Sequence, residues 1–139
     1  MNNTYADLMS KSPLLSELRG RLRLFDTVAY EGGKYTVVIV GHHSNGQAFY
    51  DISNGIKNVI FVRPTNIVPL PSIGDWLELL GNHVRAMRIL PMHDDKPKWF
   101  VDLTELVPLS QGYYRLDEAL CVAYHWLQGY KWDGEWKKL

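Results

Sequence analysis

The chain has 139 residues, enough for one domain and too few for two domains with well-filled cores. Hydrophobic residues make up 46% and charged residues 22%, ordinary globular values that exclude disorder along the whole length. Fifteen basic residues balance fifteen acidic ones. Zero net charge argues against a dedicated nucleic-acid binder, leaves room only for a local basic patch, and keeps self-association into a homo-oligomer open.

Cys121 is the only cysteine, which excludes a disulfide framework and a cysteine-based zinc site within one chain. Met1 to Asp7 show neither the basic start nor the apolar core of a signal peptide, and no apolar run approaches the about 20 residues of a membrane helix. A cytoplasmic protein without membrane contact is expected.

In chain order, residues 1–20 read as two short helical turns. Thr4 is placed to cap the first. Ser12-Pro13 opens the second, Leu14, Leu15 and Leu18 give it a sticky side, and Gly20 ends it. Residues 21–69 then carry a strand pattern. Runs 25–30, 34–40, 47–52 and 57–63 are rich in Val, Ile, Tyr and Phe. They are joined by Glu31-Gly32-Gly33, Ser44-Asn45-Gly46 and Ser53-Asn54-Gly55, turn sequences that predict an antiparallel meander closed by Pro64.

Residues 70–139 predict a helix, a strand pair and a last helix with a tail. Ser72 is the expected cap of the first of these helices and Gly81 its stop. Ile73, Trp76, Leu77 and Leu80 make one apolar stripe, expected to dock on the sheet, with Asp75 and Glu78 facing away. Runs 84–90 and 98–103 are the strand pair, separated by a polar loop over 92–97. The last helix spans 116–128, its core side formed by Leu116, Leu120, Ala123 and Leu127 with Ala119, Val122 and Trp126, and Gly129 stops it. The expected fold is a single α+β domain: an antiparallel β-meander with packed helices, including a C-terminal helix and aromatic tail.

Four groups of residues invite a functional reading. Seven of the seventeen aromatic residues lie in the last 27 positions. Of these, Tyr130, Trp132 and Trp136 are the candidate partner-binding residues, because Trp and Tyr combine a large apolar body with one polar group. The alternative is that they fold back to fill the chain's own core. Arg19, Arg21 and Arg23 form the one basic cluster, and in an extended segment they would share a face able to meet a nucleotide or nucleic acid. Otherwise they are a charged edge that discourages strand pairing.

His42-His43 and His93-Asp94-Asp95 are the only His/Asp groupings suited to a divalent ion, and nothing in the sequence brings them together, so no metal or other cofactor is assigned. Asp117, Cys121 and His125 recur every fourth residue on what reads as the polar side of the last helix. A cysteine nucleophile is one reading of them and a semi-exposed polar face the other. No phosphate loop or hydrolase motif is present, and no catalytic residue is assigned.

The stretch Leu70-Pro71-Ser72-Ile73-Gly74-Asp75-Trp76-Leu77-Glu78-Leu79-Leu80, the helix start Asp117-Glu118-Ala119-Leu120 and the ending Lys131-Trp132-Asp133-Gly134-Glu135-Trp136 resemble small accessory proteins carried by phages and prophages. The resemblance covers about a third of the chain, in short motifs. It implies a mobile-element context, where small non-enzymatic proteins bind and inhibit host defence systems in the manner of anti-CRISPR proteins. No functional residue transfers from it. A stoichiometric binder of a host protein is therefore the first expectation, a nucleotide or nucleic-acid binder the second, and a metal-dependent enzyme the third.

Overall fold

The computed structural model describes residues 4–55, 59–105 and 111–139. The fold is α+β, with mostly antiparallel sheets and a C-terminal helix followed by short strands. The chain forms two compact units, Met1–Pro71 and Ser72–Leu139. Among the described residues no helix is long and apolar enough to cross a membrane. The side chain of Thr4, the expected cap, and the start of a strand at Lys57 fall outside what is described.

The first unit opens with helices α1 (Thr4–Ser10) and α2 (Leu15–Arg19). The helix expected from Ser12-Pro13 starts at Leu15 instead, because the Ser12 hydroxyl accepts from the Leu14 amide at 3.0 Å and makes a local turn. Four strands follow: β1 (Thr27–Tyr30), β2 (Gly33–His42), β3 (Ala48–Ser53) and β4 (Val59–Val62). The β1–β2 turn is Glu31-Gly32, with φ of 46° and 80°. Two successive left-handed residues define the tight hairpin turn whose twist matches its strands. At Phe25 φ is 71°, so the expected strand 25–30 begins two residues late, at Thr27.

Pro64 ends the meander with a 3₁₀ turn, Pro64–Asn66, and the chain returns as β5 (Val68–Pro69) against β1. This return was not expected from the sequence. The strand order is β4-β3-β2-β1-β5, so Pro69 lies on an edge strand, where its missing N–H breaks no ladder. Leu22, Val28, Val37, Tyr50, Ile52, Val62 and Ile67 form the core of this unit. A bulge in β2 between Val37 and Ile39 lets Val37 and Val40 both face that core, although they are three residues apart.

The second unit begins with α3 (Ile73–Leu80), fastened by a capping box. The Asp75 amide donates to Ser72 Oγ at 3.1 Å and the Ser72 amide to Asp75 Oδ2 at 2.9 Å. The α3 stripe buries Trp76 and Leu80, and within this unit α3 packs on α4 (Leu116–Leu127). Trp76 meets Tyr124 with ring centroids 5.5 Å apart.

Strands β6 (Val84–Met92) and β7 (Asp95–Leu103) form one hairpin, and α4 packs on β7. The polar loop expected over 92–97 contracts to the turn His93-Asp94, because Asp94 takes a φ of 58° and Met92 pairs with Asp95. The tail is itself a hairpin, β8 (Tyr130–Trp132) and β9 (Trp136–Lys138), with Trp132 opposite Trp136.

Candidate functional site

The outer face of the meander carries three exposed large apolar side chains. Alternation along β3 turns Tyr50 and Ile52 inward, leaving Phe49 and Asp51 on the other side. Ile39 of β2, Asp51 of β3 and Phe61 of β4 lie in one cross-strand row, with Val59 two residues from Phe61. Ile39 is 47% exposed, Val59 57% and Phe61 60%. In their midst Asp51 Oδ1 is buried and meets no hydrogen-bond partner among the described residues.

One end of this face opens into a groove of about 740 Å³. Strand β3 pairs with β4 only as far as Tyr50↔Val62, while it stays paired with β2 back to Ala48↔His42. The chain after Val62 is pulled away from β3 by the Pro64 turn, which Arg19 holds. The Arg19 guanidinium donates to the Ile67 carbonyl at 2.9 Å and the Thr65 carbonyl at 3.2 Å. Tyr50 Oη in turn donates to the Arg19 carbonyl at 3.1 Å, tying α2 to the sheet.

The gap is lined by His43, Phe49, Phe61 and Arg63, with Arg19 and Thr65 on the far wall. His43 and Phe49 have ring centroids 4.9 Å apart, Phe49 and Phe61 5.7 Å, so three rings run in a row. The Phe49 ring lies flat across Gly41, where a Cβ would come within 2.2 Å of it. The lining holds two arginines and a histidine and no carboxylate.

The basic cluster read from the sequence is only partly in this groove. Arg19, Arg21 and Arg23 do not form the extended shared face proposed for them, since α2 runs through Arg19 and a turn follows. Arg21 pairs with Glu17 at 3.5 Å, and the Arg23 amide donates to Asp26 Oδ2 at 2.8 Å. Arg63, which sequence reasoning missed, is the arginine that joins Arg19 in the groove. Its signal was the adjacent Pro64, which marks where β4 must leave the ladder.

In the second unit, Tyr130, Trp132 and Trp136 are each half-buried. Trp132 and Trp136 share one face of the tail hairpin, with ring centroids 5.0 Å apart. Trp136 stacks on His125 of α4. These residues therefore both complete the interior of their own unit and keep a margin exposed.

The Asp117, Cys121 and His125 series is not a semi-exposed polar face. Cys121 and His125 are fully buried, because α4 is covered by α3, β7 and β8. His125 Nδ1 lies 2.8 Å from the Cys121 carbonyl and 3.7 Å from Cys121 Sγ, so the imidazole N–H donates to its own helix. Burial pushes the Cys121 thiol well above its ordinary pKa, and the charges of Asp117 and Glu118 add to this. A neutral, enclosed thiol is no nucleophile. Asp117 is held by Arg115 at 2.5 Å.

His42 and His43 stand exposed at the end of β2. His93 and Asp94 pair with each other at 3.2 Å on the β6–β7 turn, while Asp95 accepts from Tyr114 Oη. Among the described residues no three His, Cys, Asp or Glu side chains converge as metal ligands.

No protein-family model matches this chain, and no curated protein or solved structure matches it.

Proposed function

We propose that the chain is a small non-enzymatic binding protein that docks on a partner protein, one to one, through the outer face of its meander. The carrying observation is the cross-strand apolar patch of Ile39, Val59 and Phe61, about half or more of each side chain lying in solvent. Exposed apolar residues grouped on one face, rather than scattered, are characteristic of interaction surfaces. Among the described residues strand β4 is also an edge of its sheet, the position at which a partner's strand adds. Asp51, in the middle of the patch, favours a partner that brings an N–H or a cation to that point.

The tail supports this reading less than its composition implied, because the interior of its own unit already covers most of each indole. The resemblance to phage accessory proteins supplies the partner class: a host protein in the cytoplasm, whose activity the bound chain blocks.

Co-purification from host lysate with chemical cross-linking, using wild type and the variants Ile39→Glu and Val59→Glu, tests the proposal. Both positions are exposed, so the fold is expected to persist while the partner is lost, with a lowered melting temperature for Ile39→Glu alone, whose carboxylate stands opposite Asp51. Retention of the partner by both variants, with loss in Trp132→Ala, moves the docking surface to the tail. A wild-type dimer in light scattering that the glutamates dissolve makes a second copy the occupant of this face instead.

A further inference from the structure

We infer that the groove at the end of the meander binds a nucleotide, one aromatic base carrying phosphate. Three different recognition elements meet there. His43, Phe49 and Phe61 offer a row of rings, and Phe61 keeps most of its surface in solvent. A base has a π-face of its own and stacks on such a row whatever its identity. Arg63 is exposed and makes no ion pair among the described residues, so its forked guanidinium is available for a phosphate.

The third element is backbone. Because β4 leaves β3 after Tyr50↔Val62, Ala48 turns its backbone groups to a side where β4 no longer pairs, while Phe49 turns its own to Gly41 of β2. A strand edge presents N–H and C=O groups in one plane, the pattern that the hydrogen-bonding edge of a base requires. The volume of about 740 Å³ lies within the roughly 300–1,000 Å³ range of small-ligand sites.

Charge decides the size of the ligand. Arg19 is fixed by two carbonyls, no carboxylate is in the lining, and Glu17, next to the lining residue Ser16, is paired with Arg21. The groove is thus a local cationic spot on a chain of zero net charge, suited to one phosphate group and lacking the basic track that a nucleic-acid strand needs. This site meets the docking patch only at Phe61, and Ile39→Glu separates the two readings because neither Ile39 nor Val59 lines the groove.

The test is an NMR titration of the full chain with AMP, with adenosine and inorganic phosphate as separate arms and an eight-residue thymidine oligonucleotide as a fourth. AMP is expected to shift the amides of His43, Ala48, Phe49 and Arg63 and to bind at least about tenfold more tightly than either fragment. Arg63→Gln is expected to weaken AMP about tenfold, roughly the worth of one charge-assisted bond, and to leave adenosine unchanged. Phe61→Ala is expected to weaken AMP and adenosine alike, and Ile39→Glu to change neither. No groove shifts with AMP at millimolar concentration would overturn the inference. So would phosphate binding as tightly as AMP, or an oligonucleotide binding more than about a hundredfold more tightly, which makes a strand the ligand.

Discussion

The indole of Trp136 lies stacked on the imidazole of His125, with ring centroids 4.1 Å apart and planes 18° from parallel, and His125 has no exposed surface. A residue from the tail hairpin therefore covers a polar ring at the centre of the second unit. Trp76 and Tyr124 close the same ring at its edges, each with a centroid 6.2 Å away.

Removing that cover is expected to be costly. Trp136→Ala should lower stability by about 2–3 kcal/mol, below the roughly 3–5 kcal/mol of a fully buried aromatic because part of the indole is exposed. Thermal or denaturant unfolding measures it. An unchanged midpoint would mean that the hairpin is not part of the cooperative fold.

Cys121 should be silent to thiol reagents in the native protein. Its thiol is fully buried and held neutral by burial first and by the neighbouring acids Asp117 and Glu118 second. Reaction with an aromatic disulfide is expected at the rate of unfolding, and at once in denaturant. Immediate reaction without denaturant would contradict the packing of α4.

The Asp95–Tyr114 pair makes a prediction about pH. Tyr114 Oη lies 2.9 and 2.8 Å from the two Asp95 carboxylate oxygens, and Lys98 Nζ stands 3.5 Å from Oδ2. The tyrosine hydrogen bond is the largest cause of a lowered Asp95 pKa, followed by the Lys96 amide. A depressed carboxylate contributes stability that is present above its unfolded pKa and lost as pH falls through the folded one. The same bond raises the Tyr114 pKa, so that contribution is present below the tyrosine's unfolded value and lost as pH rises through the folded one. Tyr114→Phe should return Asp95 towards an ordinary carboxylate, as read by carboxyl NMR titration. An Asp95 pKa that does not move would assign its shift to Lys96 and Lys98 instead.

Much of the local architecture was legible in the residues. Glu31-Gly32 turns the first hairpin, Ser72 and Asp75 cap α3, and Gly129, with a φ of 97°, follows the end of α4. The tail hairpin was also signalled, by Asp133-Gly134 between two tryptophans, and was read only as an aromatic tail. The groove was less legible. Phe49, Phe61 and Arg63 are scattered over fifteen positions, and what gathers them is the point at which β4 parts from β3.

The amino-acid sequence determined the elements of this protein because turn, cap and strand preferences act between residues two to four apart. It determined as well the balanced charge and the absence of a disulfide within these 139 residues. Only the tertiary structure decided that β5 returns to β1, that α3 lies on α4, and that Cys121 and His125 are core rather than surface. Burial depends on which surfaces meet across long stretches of chain, and an amphipathic stripe states that it must be covered without naming its cover.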